Sequence, residues 1–211
     1  KSKIKNQMSS RVVTLPNVLT VIRMALIPVF VGALYYQRFG WALAVFVVAG
    51  VTDGLDGLFA RRFNQYSQLG QILDPIADKL LLVTSFITLS MPSIVEPSAL
   101  VQPHARHLPV PFWVTAAVIS RDVFIVVGAA TINVVTGFRG FRPSWLGKAN
   151  TTVQIGSVVL ILVAASFPPL RGYLPTVYTT VFSFAVVSGI HYVFWTSKLL
   201  NEDRQQRDFN S

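Results

Sequence analysis

The chain contains no cysteine and few charged residues. Its 211 residues include three histidines and nine acidic residues, and charged residues of both signs make up 13% of the total. Without cysteine, thiol catalysis, disulfides and zinc fingers are excluded. What is abundant is apolar, since 52% of the residues are hydrophobic and the mean hydropathy is +0.54. This composition is typical of a membrane protein.

Six apolar stretches are about 20 residues long or longer, which is the length that an α-helix needs to cross a bilayer. No small-residue cleavage site follows the first stretch, so we do not expect it to be a cleaved signal peptide. We therefore predict an all-α fold, an integral membrane bundle of six transmembrane helices. It forms one domain over residues 1–211, in which 1–15 is a basic juxtamembrane segment. The predicted spans are 17–36, 41–62, 70–91, 110–136, 148–168 and 175–199.

Lysines and arginines are unequally distributed between the two sides of this predicted bundle. By the positive-inside rule, the richer side faces the cytoplasm, and it carries both termini. The net charge of +9 is attributed to contact with anionic lipid headgroups rather than nucleic acid, because the basic residues border membrane spans. The richer side carries twelve: Lys1, Lys3, Lys5, Arg11, Arg61, Arg62, Arg139, Arg142, Lys148, Lys198, Arg204 and Arg207. The other side carries three, Arg38, Arg106 and Arg171, and the remaining three, Arg23, Lys79 and Arg121, fall within spans.

Four of the nine acidic residues lie within 26 residues of one another: Asp53, Asp56, Asp74 and Asp78. Their spacings place each pair on one face of a helix, so two helices joined by a short turn would direct four carboxylates into one cleft. Like charges repel unless a cation neutralises them, and all-oxygen ligation suits Mg²⁺ or Mn²⁺. We therefore predict a metal site, with two ions. The alternative is that these aspartates cap helices or pair with neighbouring Arg61, Arg62 and Lys79.

Two further residues in this window favour a phosphate-containing ligand. Gly57 follows Asp56 directly and leaves room for a ligand to approach the helix backbone. Arg61 supplies a forked donor that matches phosphate oxygens.

The stretch from Asp53 to Asp78 resembles the signature of the CDP-alcohol phosphotransferases, D-x2-D-G-x2-A-R-x8-G-x3-D-x3-D, and matches it at every fixed position. The resemblance implies a membrane enzyme, expected to be a homodimer, that transfers the phosphatidyl group of a CDP-linked lipid to an alcohol and releases CMP. It implies that Asp78 is both a metal ligand and the general base on the acceptor hydroxyl. It also implies that the other metal ligands are Asp53, Asp56 and Asp74, and that the CDP pocket is shaped by Gly57, Ala60, Arg61 and Gly70.

The start of the first span carries a polar face. Asn17, Thr20 and Arg23 are spaced at i, i+3 and i+6, and family members have a similar Pro-Asn-x-Leu-Thr segment here. These side chains either cap the helix and reach the membrane surface, or line the polar cavity. On the second reading, Asn17 and Thr20 bind the CDP-lipid.

Basic residues in the second half of the chain point to an anionic acceptor. Arg121 lies deep in the fourth span and is expected to face the cavity. Its neighbour Asp122 need not pair with it, because adjacent helix residues point about 100° apart. Arg142 and Lys148 lie at the cytoplasmic mouth, where they are either acceptor-binding residues or ordinary positive-inside charges. Together they favour an acceptor with a phosphate over a neutral one such as inositol, serine or choline.

Two acceptors of that kind compete, phosphatidylglycerol and glycerol 3-phosphate. The segments 119–123 and 148–154 resemble those of eukaryotic-type cardiolipin synthases, whereas phosphatidylglycerophosphate synthases more often have Arg-Glu and Lys-x-Lys-Thr at these places. Asn150 replaces one of those lysines. The resemblance therefore favours phosphatidylglycerol as the acceptor and cardiolipin as the product, with CDP-diacylglycerol as the donor.

A different class of protein is also consistent with intramembrane carboxylates, namely a cation transporter. Such a protein would not need Gly57, Ala60 and Arg61 at fixed offsets from the aspartates, and no repeated halves are visible.

His191, on the last span, is expected to be a hydrogen-bonded core residue. We expect a multi-pass protein of a bacterial inner membrane, with its active site facing the cytoplasm.

Overall fold

The computed structural model describes the backbone of residues 15–63, 68–95, 108–136 and 145–209. Side chains are described over 19–53, at Ala77, and over 79–95, 108–134 and 145–198. Within these ranges the chain is all-helical, which confirms the predicted fold class. The helices are α1 (Leu15–Tyr35), α2 (Phe39–Phe63), α3 (Gln68–Leu89), the short α4 (Pro92–Val95), α5 (Phe112–Thr136), α6 (Trp145–Ser166) and α7 (Leu174–Phe209); a 3₁₀ segment, Pro168–Tyr173, precedes α7.

A tight turn reverses the chain between α1 and α2. Gln37 has a φ of 59°, and the backbone N–H groups of Gln37 and Arg38 donate to the carbonyls of Leu34 and Ala33 at 2.9 and 2.8 Å. This satisfies carbonyl groups that the end of α1 would otherwise leave unpaired. The side chain of Gln37 donates to the carbonyl of Ile94 at 2.7 Å, which attaches α4 to the same end of the bundle.

Helix packing is antiparallel between chain neighbours at this turn and builds one bundle. Helix α1 contacts α2 and α3, α6 contacts α2, α3 and α7, and α5 contacts α3 and α7. An apolar core fills the end of the bundle that contains the α1–α2 turn. There the rings of Phe30 and Phe46 approach to 6.0 Å, and Phe86, Ile161 and Leu174 are also buried.

The outer surface of the bundle is also apolar. Exposed side chains on α5 include Val123, Phe124, Val126 and Val127, each more than half exposed. Three helical segments of the described chain are long and apolar enough to cross a membrane: Phe112–Val134, Trp145–Ser166 and Pro168–Lys198. Shorter apolar stretches occupy parts of α1, α2 and α3, at Leu19–Tyr35, Phe39–Asp53 and Lys79–Leu89. Apolar side chains therefore cover the bundle outside as well as inside, as expected for a protein surrounded by lipid.

Candidate active site

The two ends of the bundle differ in the chemistry of their buried side chains. We call the end opposite the α1–α2 turn the aspartate end, because α2 runs toward it and carries Asp53 and Asp56. The helical positions of Asp74 and Asp78 on α3 agree with the prediction that the four aspartates lie on two helices. Buried polar side chains in that half of the molecule come from α1, α5, α6 and α7, namely Thr20, Arg23, Asp122, Asn150, Gln154, Ser188 and Thr196. A polar layer therefore lies inside an otherwise apolar protein.

Arg23 joins α1 to α2 within this layer. Its Nη2 lies 2.9 Å from Oδ1 of Asp53, and the arginine side chain is 1% exposed while the aspartate side chain is 41% exposed. Thr20, one turn earlier, is fully buried. Arg23 therefore points at a carboxylate of α2 rather than at the membrane surface, and the role predicted for Asn17 and Thr20 stays a prediction. The guanidinium supplies the positive charge that a partly buried carboxylate needs.

A second group of charges joins α3, α5 and α7. Nζ of Lys79 lies 2.6 Å from Oδ2 of Asp122, and Nη1 of Arg121 lies 2.7 Å from Oδ1 of the same carboxylate. Nη2 of Arg121 donates to the hydroxyl of Ser188 at 2.6 Å. We call these four residues the Asp122 network.

The sequence left open whether Arg121 and Asp122 pair. Arg121 and Asp122 do pair, although their Cα–Cβ bonds point in different directions around the helix. The long arginine side chain reaches back to its neighbour because Ser188 on α7 holds the other end of the guanidinium. Both side chains are less than a tenth exposed, so the pair is largely withdrawn from water.

Among the residues that the structure describes, several buried polar atoms in the same half of the bundle have no hydrogen-bond partner. Both amide atoms of Asn150 and of Gln154 are unpaired, and both residues are fully buried four positions apart on α6. The Tyr192 hydroxyl, the Thr196 hydroxyl and Nδ1 of His191 are unpaired as well. Each buried polar group left without a partner lowers the stability of the fold by about 1–3 kcal/mol. Several such groups in one region therefore suggest that the region has a functional role.

His191 therefore differs from the expectation of a hydrogen-bonded core residue. Its ring stacks on that of Trp195, with centroids 6.1 Å apart and an interplanar angle of 16°. The ring of His191 thus makes an aromatic contact, while its Nδ1 makes no hydrogen bond with the described residues.

Buried hydroxyls at the opposite end show the contrasting pattern. Ser85 and Thr88 donate to carbonyls one turn earlier on α3, both at 2.7 Å, and Thr115 donates to the carbonyl of Phe86 at 3.3 Å. A groove of about 640 Å³ also opens at that end, and Gln37, Arg38, Trp41 and Ser166 contribute to its lining. The lining includes no carboxylate, so this groove lacks the ligands that the predicted metal chemistry requires.

Most predicted site residues have helical backbones, while only some have described side chains. Thr20, Asp53, Arg121 and Lys148 are described, and Lys148 is exposed near the start of α6. The side chains of the others lie outside the described set: Asn17, Asp56, Gly57, Ala60, Arg61, Gly70, Asp74, Asp78 and Arg142. Their assignments as metal ligands, base and binding residues remain predictions.

The donor chemistry of the described part agrees with a hard divalent cation. Asp53 offers a carboxylate on a side chain that is 41% exposed, beside the buried cation of Arg23. Among the side chains that the structure describes, no three acidic or histidine groups come together, because three of the four aspartates are not in that set.

Sequence reasoning did not single out Lys79, Ser188 or Gln154 as site residues. A lysine inside an apolar span is the one signal that could have identified Lys79, since such a residue needs a partner or a cavity. Nothing in the local sequence distinguishes Ser188 from the other hydroxyl-bearing residues of α7.

Comparison with known proteins also indicates phosphatidyl-transfer chemistry. A family model for CDP-alcohol phosphatidyltransferases matches residues 13–194. A cardiolipin synthase (CMP-forming) from Streptomyces coelicolor is 30% identical over 211 residues, covering 92% of this chain and 88% of that protein. A protein named probable phosphatidylglycerophosphate synthase from Mycobacterium tuberculosis is 31% identical over 193 residues, covering 87% and 82%. The human cardiolipin synthase (CMP-forming) is 35% identical over 182 residues, covering 78% of this chain and 54% of that protein.

Proposed function

The chain belongs to the CDP-alcohol phosphatidyltransferase family, and on this premise we propose that it transfers the phosphatidyl group of CDP-diacylglycerol to phosphatidylglycerol, forming cardiolipin. The family match covers most of the chain and is the observation that carries the reaction type. Transfer of a phosphatidyl group from a CDP-linked donor is common to the named relatives in both groups.

In the proposed reaction the acceptor hydroxyl oxygen attacks the phosphorus of the phosphatidyl group. A new P–O bond forms as the P–O bond of the pyrophosphate breaks, and CMP leaves with the bridging oxygen. Asp78 takes the proton of the hydroxyl, since a carboxylate within hydrogen-bond reach of the acceptor can act as general base. Arg61 holds the donor's phosphates, while Gly57, Ala60 and Gly70, with Asn17 and Thr20, shape the pocket for the CDP group.

We propose that Asp53, Asp56, Asp74 and Asp78 hold Mg²⁺ or Mn²⁺. The bound metal would neutralise charge on the phosphate oxygens and on the departing CMP. Arg23 then has a role of its own, because it neutralises Asp53 and keeps that carboxylate inside the bundle next to α1. Two ions fit four carboxylates better than one, since each ion can share the ligands of both helices.

An anionic acceptor is supported by the basic residues beyond α3. Arg121 brings a cation into the buried half of α5, and Lys148 places another on the exposed face near the start of α6. Arg142 precedes α6 in the chain and is proposed as the third acceptor-binding residue. Because both terminal nitrogens of Arg121 already contact protein groups, its contribution is the positive charge rather than a free guanidinium fork.

A second candidate acceptor, glycerol 3-phosphate, is favoured by the relative named as a phosphatidylglycerophosphate synthase. Both acceptors present a phosphate and a glycerol hydroxyl. The buried amide of Asn150, where a lysine would add charge, supports the phosphodiester of phosphatidylglycerol. Purified protein given CDP-diacylglycerol and each acceptor separately, with products identified by mass spectrometry, tests the choice. Cardiolipin from phosphatidylglycerol supports it, and phosphatidylglycerophosphate without cardiolipin overturns it.

The family and the apolar helices place the protein in a membrane, and we propose that α1, α2, α3, α5, α6 and α7 all cross it. The aspartate end would face the cytoplasm of a bacterial cell, where the positive-inside rule places the termini. A homodimer is proposed from the family resemblance.

A further inference from the structure

Lys79 has an unusual position for a lysine within an apolar helix. It follows Asp78 directly on α3, and its ammonium contacts Asp122 on α5 at 2.6 Å. The carboxylate it contacts is 8% exposed, but the lysine side chain remains 40% exposed. The ammonium of Lys79 is therefore bonded to Asp122 on one side, while the rest of the side chain remains accessible to solvent.

The charges of the Asp122 network do not balance. Asp122 supplies one negative charge, while Lys79 and Arg121 supply two positive charges, and both cations contact the same carboxylate. In a half-buried environment an excess charge is poorly screened and attracts an anion more strongly than it would in water. Within the described side chains this network is thus a site of net positive charge.

The two cations are not equally available to a ligand. Arg121 is 9% exposed and is held at one terminal nitrogen by Asp122 and at the other by Ser188. Among the described side chains, the ammonium of Lys79 contacts Asp122, and it has two further N–H donors. Arg121 lies on the same helix as Asp122 and already neutralises that carboxylate, so charge balance alone does not require Lys79. Lys79 is the cation that a substrate can reach.

We propose that Lys79 binds the phosphate group of the acceptor, and that Asp122 positions its ammonium. The inference rests on the proposed function, because it places the acceptor beside Asp78. Asp78 and Lys79 are adjacent on α3, so a phosphate bound by Lys79 would lie at the same helical turn as the proposed base. The phosphate is a diester in phosphatidylglycerol and a monoester in glycerol 3-phosphate, and Lys79 serves either.

The test uses Lys79→Met, which removes the charge and keeps most of the apolar stem, and Lys79→Arg, which keeps the charge. Steady-state kinetics with each acceptor should show that Lys79→Met raises the acceptor KM by about tenfold, the loss expected for a charge-assisted hydrogen bond. The KM for CDP-diacylglycerol should change less than about twofold, and Lys79→Arg should recover most of the acceptor affinity. Arg38→Gln, which removes an arginine at the opposite end, is the matched control and should leave both constants unchanged.

A purely structural lysine would give a different pattern. Lys79→Met would then lower Tm and kcat while the two KM values stayed the same or rose together, and this result would overturn the proposal. Binding of glycerol 3-phosphate and of short-chain phosphatidylglycerol is also measured without CDP-diacylglycerol. This tests the role of Lys79 in acceptor binding independently of transferase activity. Absence of transferase activity in the wild type would refute the proposed function. The role of Lys79 would be refuted if Lys79→Met left the acceptor Kd unchanged, or if the wild type bound no acceptor.

Discussion

Asp53 is the one residue of the aspartate signature whose side-chain environment is described. Its side chain is 41% exposed and pairs with the buried guanidinium of Arg23. This arrangement gives the proposed metal site two separable requirements, a complete set of carboxylates and a positively charged neighbour.

We expect Asp53→Asn or Asp74→Asn to abolish transfer while the protein remains folded, because each removes a proposed ligand. EDTA should do the same to the wild type, and added Mg²⁺ or Mn²⁺ should restore activity. Transfer rates together with size-exclusion profiles check this. Full turnover by the wild type in excess chelator would contradict the metal mechanism.

Asp78 and Arg61 should differ in the step that they affect. Asp78→Asn should lower kcat much more than it weakens binding of CDP-diacylglycerol, since the proposed base acts on the acceptor. Arg61→Ala should instead weaken donor binding. Donor affinity and single-turnover rates measured on both variants separate the two effects, and near-normal turnover by metal-bound Asp78→Asn would remove Asp78 from the role of base.

Arg121→Ala should raise the KM for the acceptor more than the KM for CDP-diacylglycerol. Losing a charge from a partly desolvated site costs on the order of 1.5–3 kcal/mol, or roughly ten- to a hundredfold in the constant. Because Arg121 also holds Ser188, the variant needs a Tm measurement beside the kinetics. Equal increases in both KM values would indicate a general disturbance of the site.

Gln154 permits a test of stability at a single residue. Both its amide atoms are buried and unpaired, so Gln154→Leu should raise Tm by a few degrees by removing the desolvation cost. Thr152→Val on the exposed side of α6 is the control, since that hydroxyl bonds the carbonyl of Lys148. A lower Tm for Gln154→Leu alone would mean that the amide makes a stabilising hydrogen bond in the folded protein.

At the scale of helices, the Asp122 network links three elements that are distant in sequence. Lys79 belongs to α3, Asp122 and Arg121 to α5, and Ser188 to α7. Asp122→Asn leaves two cations without their carboxylate, so we expect Tm to fall on the order of 5 °C. The fall should be smaller in a Lys79→Met background, which a double-mutant cycle measures. Additive effects would mean that Lys79 and Asp122 are not energetically coupled.

The helices were predictable because local patterns determine them. Apolar runs of sufficient length anticipated α1, α2, α3, α5, α6 and α7, and the aspartate spacing anticipated that Asp53 and Asp74 lie on two successive helices. The pairing of Lys79 with Asp122 was not predictable, because it depends on how α3 and α5 pack across 43 residues of chain. Burial of Asn150 and Gln154 also depends on packing, since their polar character would have suggested an exposed face.

At the scale of the whole molecule, the buried polar layer and the apolar core occupy opposite ends of one bundle. The polar layer lies at the end that the positive-inside rule predicts to face the cytoplasm. The proposed substrates agree with this orientation, since CDP and CMP are water-soluble groups while the acyl chains remain in the membrane. The proposed orientation is therefore tied to the proposed chemistry and can be tested without measuring activity.

The absence of native cysteine makes single-cysteine labelling the direct test of orientation. Trp145→Cys, at the start of α6, should be protected from a membrane-impermeant maleimide in intact cells and labelled after permeabilisation. Tyr173→Cys, just before α7, should be labelled in intact cells, because it lies at the other end of the bundle. Both positions are well exposed, at 78% and 70%, so differences in labelling report the side of the membrane rather than burial. The reverse labelling pattern would place the aspartate end outside the cell, away from the cytoplasmic CDP-lipid, and would contradict the proposed topology.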